Sequence, residues 1–189
     1  MDFNFNIKPK GPISMAFLDD GMNDFYQATQ FVKFLPYKRN LDKNNPLAVI
    51  KEKIGTCSTK HALLKRLADE NKIHELKLMQ GIFKMNGTNV PAIKKVLDPT
   101  TLDYIPEAHN YFRLNNRLLD FTKPNFPLKD FDSFLLDEIE VEADQTNEFK
   151  INYFKSFLKK WLKQNNLTYS NEELWEIREA CIRSLFSDK

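Results

Sequence analysis

Ile105-Pro106-Glu107-Ala108-His109-Asn110-Tyr111-Phe112-Arg113-Leu114-Asn115-Asn116-Arg117-Leu118-Leu119-Asp120-Phe121-Thr122 is the stretch whose reading decides the fold. Two runs of strand-forming residues flank Asn115-Asn116, and asparagine tolerates the positive φ that a two-residue hairpin turn requires. A turn of that length sets Leu114 opposite Arg117, Tyr111 opposite Asp120 and His109 opposite Thr122. Directly opposed side chains share a face of the sheet, so His109, Tyr111, Asp120 and Thr122 come to one side. His109 and Asp120 are then diagonal neighbours, about 7–8 Å apart at the backbone and closer at Cβ, within reach of an imidazole–carboxylate hydrogen bond. A four-residue turn keeps them on one face, whereas a three-residue turn does not.

Upstream, Gly55-Thr56-Cys57-Ser58-Thr59-Lys60-His61-Ala62-Leu63-Leu64-Lys65-Arg66-Leu67-Ala68 places apolar residues at 63, 64, 67 and 68 after a Gly/Thr/Ser punctuation. That spacing predicts a helix with Cys57 in or beside its first turn. Backbone N–H groups and the positive end of the macrodipole gather there and favour a thiolate over a thiol; the same N–H groups can receive an oxyanion. A lone cysteine at a helix start is also read as a small buried apolar residue. The histidine and acid downstream tip the reading toward a nucleophile with a base and an orienting group.

In this order, a helix-start Cys57, then His109 on one strand and Asp120 on the next, the chain resembles the transglutaminase-like branch of the papain-like cysteine enzymes. Gly55-Thr56-Cys57 and Leu119-Asp120-Phe121-Thr122 carry the likeness at its outer members. The resemblance implies Cys57 as nucleophile, His109 as its base and acid, and Asp120 as the residue that orients His109. Members of that superfamily often take a second oxyanion donor from a side chain upstream of the nucleophile, a Gln or an aromatic N–H. No Trp precedes Cys57, and Gln27, Gln30, Asn44 and Asn45 are the candidates. Asn110 follows His109 where the larger transglutaminase enzymes carry an aromatic, so the triad transfers and the substrate class does not.

At 189 residues and 42% hydrophobic, the chain is long enough for one well-buried core, and no internal linker stands out. The expectation is a single domain over 1–189, with an N-terminal helical part at 1–50 and a C-terminal helical pair at 145–189. Lys+Arg 28 against Asp+Glu 26, interspersed, points away from a nucleic-acid partner. The first residues hold an early acid and no sustained apolar run, so neither a signal peptide nor a membrane span is expected. The two cysteines read as free thiols of a cytoplasmic protein.

The fold class expected is α+β: an antiparallel sheet with strands near 76–85, 108–114 and 117–122, the nucleophile helix packed on it, and C-terminal helices. Residues 1–14 read as an extended start with a short edge strand at Phe3, Phe5 and Ile7, and 19–35 as a helix stopped by Pro36. Pro46 opens a short helix to about Lys53. The segment 86–104 is too long for a bare turn and is assigned to a cleft wall with a short element of its own. Beyond Thr122 the chain crosses Pro124 and Pro127, then an acidic connection at 130–136. A helix over 148–164 follows, with an apolar stripe of Phe149, Phe154, Phe157, Leu158, Trp161 and Leu162. A second, over 170–186, is capped at Ser170 or Asn171 and presents Leu174, Trp175, Ile177, Cys181, Ile182 and Leu185.

Other polar residues compete for roles. His61, one turn after Cys57, is read as packing against the sheet or supporting the thiol; as a metal ligand it lacks a recognisable set of partners among His74, His109 and Cys181. Glu107 rivals Asp120 as the orienting acid, with Pro106 marking it as a strand start. Cys181 reads as buried and inert. No cofactor is called for. The functional classes carried forward are an amide or acyl hydrolase or acyltransferase acting on a peptide, protein or small amide or acyl substrate, a silent binding module of the same fold, and a redox-sensing thiol protein.

Overall fold

The computed structural model describes residues 3–124 and 130–187. Among them the chain forms, in order, helices α1 (Pro12–Asp19), α2 (Phe25–Phe34), α3 (Ala48–Glu52) and α4 (Cys57–Glu70), strand β1 (Lys77–Met85), a 3₁₀ turn at Pro91–Ile93 and helix α5 (Lys94–Leu97). Strands β2 (Ile105–Leu114) and β3 (Arg117–Leu119), a second 3₁₀ turn, strand β4 (Leu135–Glu140) and helices α6 (Glu148–Gln164) and α7 (Asn171–Ser187) complete it. The fold is α+β, with an antiparallel four-stranded sheet in the order β3-β2-β1-β4.

The hairpin has the register read from its turn. Leu114 pairs with Arg117, Arg113 with Leu118 and Phe112 with Leu119. Asn115 and Asn116 take φ of 48° and 63°, the doubly left-handed conformation of a two-residue turn whose twist matches the strands. The ladder stops at Leu119, so Asp120 and Thr122 leave the sheet as a short turn in which the Thr122 N–H donates to Asp120 Oδ1 at 2.7 Å.

Four sequence expectations change. The helix expected over 19–35 is only α2, from Phe25 to Phe34, which Asp24 caps by accepting from the Gln27 N–H at 2.8 Å; a separate helix, α1, begins at Pro12 inside the stretch read as extended and ends at Asp19, and Gly21 turns the chain between the two at φ 81°. Glu70, at the far end of α4, receives the N–H groups of Ile13 and Ser14 and so caps α1 from a distance. A Cβ on Gly11 would lie 2.3 Å from the Glu70 carboxyl carbon, which is why glycine precedes that helix. Among the described residues the start of the chain makes an isolated bridge, Asn6 with Asp24, in place of the expected edge strand. The acidic connection at 130–136 runs into a fourth strand, β4, whose charged side chains an edge position accommodates. Phe149, placed on the apolar stripe of α6, is exposed. Pro127 lies outside the described residues.

The chain divides into two compact units. One takes in the described residues of 1–80, 109–127 and 139–147; its core joins Phe17, Phe25, Leu64, Leu67, Phe112 and Phe121, all fully or nearly buried. The other takes in those of 81–108, 128–138 and 148–189, where the Trp161 indole N–H donates to the Tyr104 hydroxyl at 3.0 Å and Phe83 lies 5.1 Å from Phe131. In this second unit the Ser170 hydroxyl and the Glu173 carboxylate exchange bonds with each other's backbone N–H, a reciprocal cap that starts α7.

Candidate active site

Cys57 is the first residue of α4, after Thr56 in extended conformation. His109 comes from β2, and Asp120 follows β3. All three are 5 % exposed. His109 Nε2 lies 2.6 Å from Asp120 Oδ2. The ring's other nitrogen is left for Cys57, with which His109 shares a side-chain hydrogen bond. Tyr111, two residues along the same strand face, stacks on the imidazole at 5.9 Å between centroids. Asp120 lies one residue beyond the β3 ladder rather than paired with Tyr111 in it, so the turn after β3 brings its carboxylate to His109, and the structure brings together the three residues the sequence singled out.

Charge and burial set their states. Burial acts to lower the His109 pKa, but the Asp120 carboxylate and Cys57 outweigh it and raise it to about 9. Burial acts to raise that of Asp120, and the His109 charge and hydrogen bond, with His61 and Thr122, bring it down to about 2. An anionic Asp120 facing a cationic His109 is the consequence at neutral pH. The imidazolium is then poised to hold a thiolate at Cys57.

His61 and Lys60 complete the buried polar set, both fully inaccessible. His61 Nε2 accepts from the Phe121 N–H at 3.0 Å, which assigns the ring proton to Nδ1, and Nδ1 donates to the Cys57 carbonyl at 2.8 Å. Burial lowers its pKa to about 4, so His61 is neutral although Asp120 Oδ1 is only 3.7 Å away. A neutral His61 leaves the carboxylate to His109. Lys60 sends its ammonium to the carbonyls of Leu35, at 2.6 Å, and Thr122, at 2.7 Å. Burial draws its pKa down to about 8, against the pull of Cys57 and Asp120.

The other sequence candidates fall elsewhere. Glu107 is in a two-point pair with Arg178, at 2.7 Å for each bond, and the guanidinium lies over the rings of Phe154 and Trp175. The Cys181 thiol is fully buried, and burial with Glu107 nearby pushes its pKa up to about 11. His74 is exposed. Asn110 accepts from the Ser58 hydroxyl at 3.0 Å and donates to the Met79 carbonyl at 3.1 Å, tying β2 to the first turn of α4. Of the upstream candidates, Gln27 accepts from the Asn23 N–H and Asn44 from the Asn147 amide.

Two residues at the site carry no sequence expectation. Tyr37 places its hydroxyl 3.9 Å from Cys57 Sγ. Lys60 had a usable signal: positions 57, 60, 61, 64 and 68 run along one helical face, and two polar side chains on a face that otherwise holds Leu64 and Ala68 mark buried polar work. No protein-family model, curated protein or solved structure matches the chain.

Proposed function

We propose that the protein is a cysteine-nucleophile enzyme of transglutaminase-like type, an amide or acyl hydrolase or acyltransferase working through an acyl-enzyme on Cys57. The observation that carries this reading is the alignment of one imidazole between a buried carboxylate at 2.6 Å and a thiol at a helix start. The Cys57 thiolate attacks the substrate carbonyl carbon, forming a C–S bond while the C=O π pair moves onto oxygen. Collapse restores the carbonyl and breaks the bond to the leaving group, which takes the proton of the His109 imidazolium. Neutral His109 then accepts a proton from water or an amine as it attacks the thioester. The sulfur leaves as thiolate and the imidazolium is restored. Both cysteines are free thiols, in keeping with a reducing, cytoplasmic setting, and among the described residues no helix is long and apolar enough to cross a membrane.

The test is the rate of Cys57 alkylation by iodoacetamide against pH, beside the rate of acylation by p-nitrophenyl acetate, for the wild type, His109→Ala and Asp120→Asn. Wild-type alkylation is expected to stay fast well below pH 8, where a free thiol of pKa about 8.5 is protonated. His109→Ala should move the profile toward that of a free thiol, and Asp120→Asn should cut acylation by at least ten-fold with the melting temperature little changed. Unchanged profiles would refute the triad. Fast alkylation with no turnover across an amide and ester panel would point instead to a silent binding module.

A further inference from the structure

We propose that the Tyr37 hydroxyl is the side-chain half of the oxyanion site, donating a hydrogen bond to the substrate carbonyl oxygen as negative charge develops on it. This rests on the acyl-enzyme reading above.

The mounting of Tyr37 is the first support. Its backbone forms an isolated parallel bridge with Gly55, two residues before the nucleophile. The Gly55 N–H donates to the Pro36 carbonyl and the Lys38 N–H to the Gly55 carbonyl, both at 3.2 Å, so the chain is clasped on each side of Tyr37. Further along, Asn40 donates to the Ile54 carbonyl at 3.1 Å and accepts from the Thr59 hydroxyl at 2.8 Å. Before it, the Leu35 carbonyl takes the Lys60 ammonium. The residues on both sides of Tyr37 are thus bonded to α4 and the turn leading into it. Gly55 itself is packed tightly against α3 and α4, since a Cβ there would lie 2.9 Å from Lys60 Cγ and 3.2 Å from Val49 Cγ2.

The second support is distance. At 3.9 Å the phenol makes a long contact to the resting sulfur. A carbonyl oxygen in the adduct stands two covalent bonds from Sγ, and an oxyanion donor belongs about 2.7–3.1 Å from that oxygen. A hydroxyl set back from the sulfur is therefore placed for the oxygen. The backbone N–H of Cys57, at the first position of a fourteen-residue helix, is the other donor in this arrangement.

Two reactions at the same sulfur separate this role from others. Alkylation by iodoacetamide displaces iodide from a saturated carbon and builds no oxyanion; acylation by p-nitrophenyl acetate passes through one and releases p-nitrophenolate. Tyr37→Phe keeps the ring and removes the donor. Its alkylation rate and pH profile are expected to stay within two-fold of the wild type, while acylation falls by about 10²-fold. Cys57→Ala should abolish both reactions, and His109→Ala should slow both. Equal loss of alkylation and acylation in Tyr37→Phe, or no loss of either, overturns the proposal while leaving the triad standing. Wild-type acylation no faster than that of a free thiol refutes the triad reading, and this proposal with it.

Discussion

Replacing His61 by Phe tests whether the site is organised around a neutral, fully buried imidazole. Phenylalanine keeps a ring beside Phe112 and Phe121, whose centroids lie 5.1 and 6.1 Å from the His61 ring, but removes both polar atoms. The Phe121 N–H is left buried without its acceptor, costing about 1–3 kcal/mol, and the bond to the Cys57 carbonyl is lost, about 1 kcal/mol more. A deficit of about 2–4 kcal/mol at pH 7.5 is expected. The second magnitude comes from linkage. The His61 pKa is about 4 in the folded protein against an ordinary 6.5, so between those values the unfolded chain binds a proton that the folded one refuses. This contribution to stability is whole above pH 6.5 and is lost as pH falls toward 4. At pH 5 the wild type has lost about 2 kcal/mol of it, whereas His61→Phe has none to lose. His109 is present in both the wild type and the variant, so its own contribution cancels in the comparison.

Urea unfolding at pH 7.5 and pH 5, analysed at a common m-value, measures both quantities. The wild type should lead the variant at pH 7.5, and that lead should shrink by about 2 kcal/mol at pH 5. A lead that stays constant would mean that His61 titrates alike in both states. A lead that grows on acidification would mean that His61 is cationic in the fold and paired with Asp120. Either result would refute the assignment of Asp120 to His109 alone.

Lys60→Met keeps the aliphatic stem and removes the ammonium from the Leu35 and Thr122 carbonyls; a loss of about 2–4 kcal/mol in urea unfolding is expected, with the onset of Cys57 alkylation moved to higher pH by removal of a neighbouring positive charge. Glu107→Gln strands the Arg178 guanidinium in its buried two-point pair and should destabilise by about 3–5 kcal/mol in thermal or urea melts, with alkylation of Cys57 per folded molecule unchanged. The opposite pattern, normal stability and a damaged thiol, would make Glu107 the functional acid.

The parts of this fold legible in sequence are those where the deciding interaction is local. Asn115-Asn116 sets the hairpin by its own backbone preference, and α4, α6 and α7 announce themselves by punctuation and period. Helix α1 was missed because its N-terminus is satisfied by Glu70, fifty-seven residues from Ile13, and no local pattern reports such a cap. Strand β4 was missed because Asp137 and Glu138 interrupt any alternation; their side chains are managed by partners and neighbours at an edge, Asp137 accepting from the Tyr153 hydroxyl at 2.5 Å. Cys57 and His109 are legible in a helix start and a strand whose register the Asn115-Asn116 turn fixes, whereas Asp120 reaches His109 from a turn just past the end of that ladder, at Leu119. Tyr37 was not legible, since its approach to the thiol depends on a backbone bridge to Gly55, and nothing in Pro36-Tyr37-Lys38 specifies that pairing.

The seven residues from Gly55 to His61 show how much of the site one short stretch assembles. Gly55 seats Tyr37. The Thr56 N–H is held by the Thr59 hydroxyl, and that hydroxyl in turn reaches Asn40. Cys57 meets His109, Ser58 donates to Asn110, Lys60 gathers the carbonyls of Leu35 and Thr122, and His61 joins the Cys57 carbonyl to the Phe121 N–H. A helix kept only for packing would fill these positions with apolar side chains, because each buried polar group costs free energy unless its partner is in place. Here the partners are the residues that flank Tyr37, carry His109 or follow Asp120. The polar side chains of this turn therefore act on the placement of the thiol's neighbours. Changes at Lys60 or His61 should show themselves in the chemistry of Cys57 as well as in the stability of the fold.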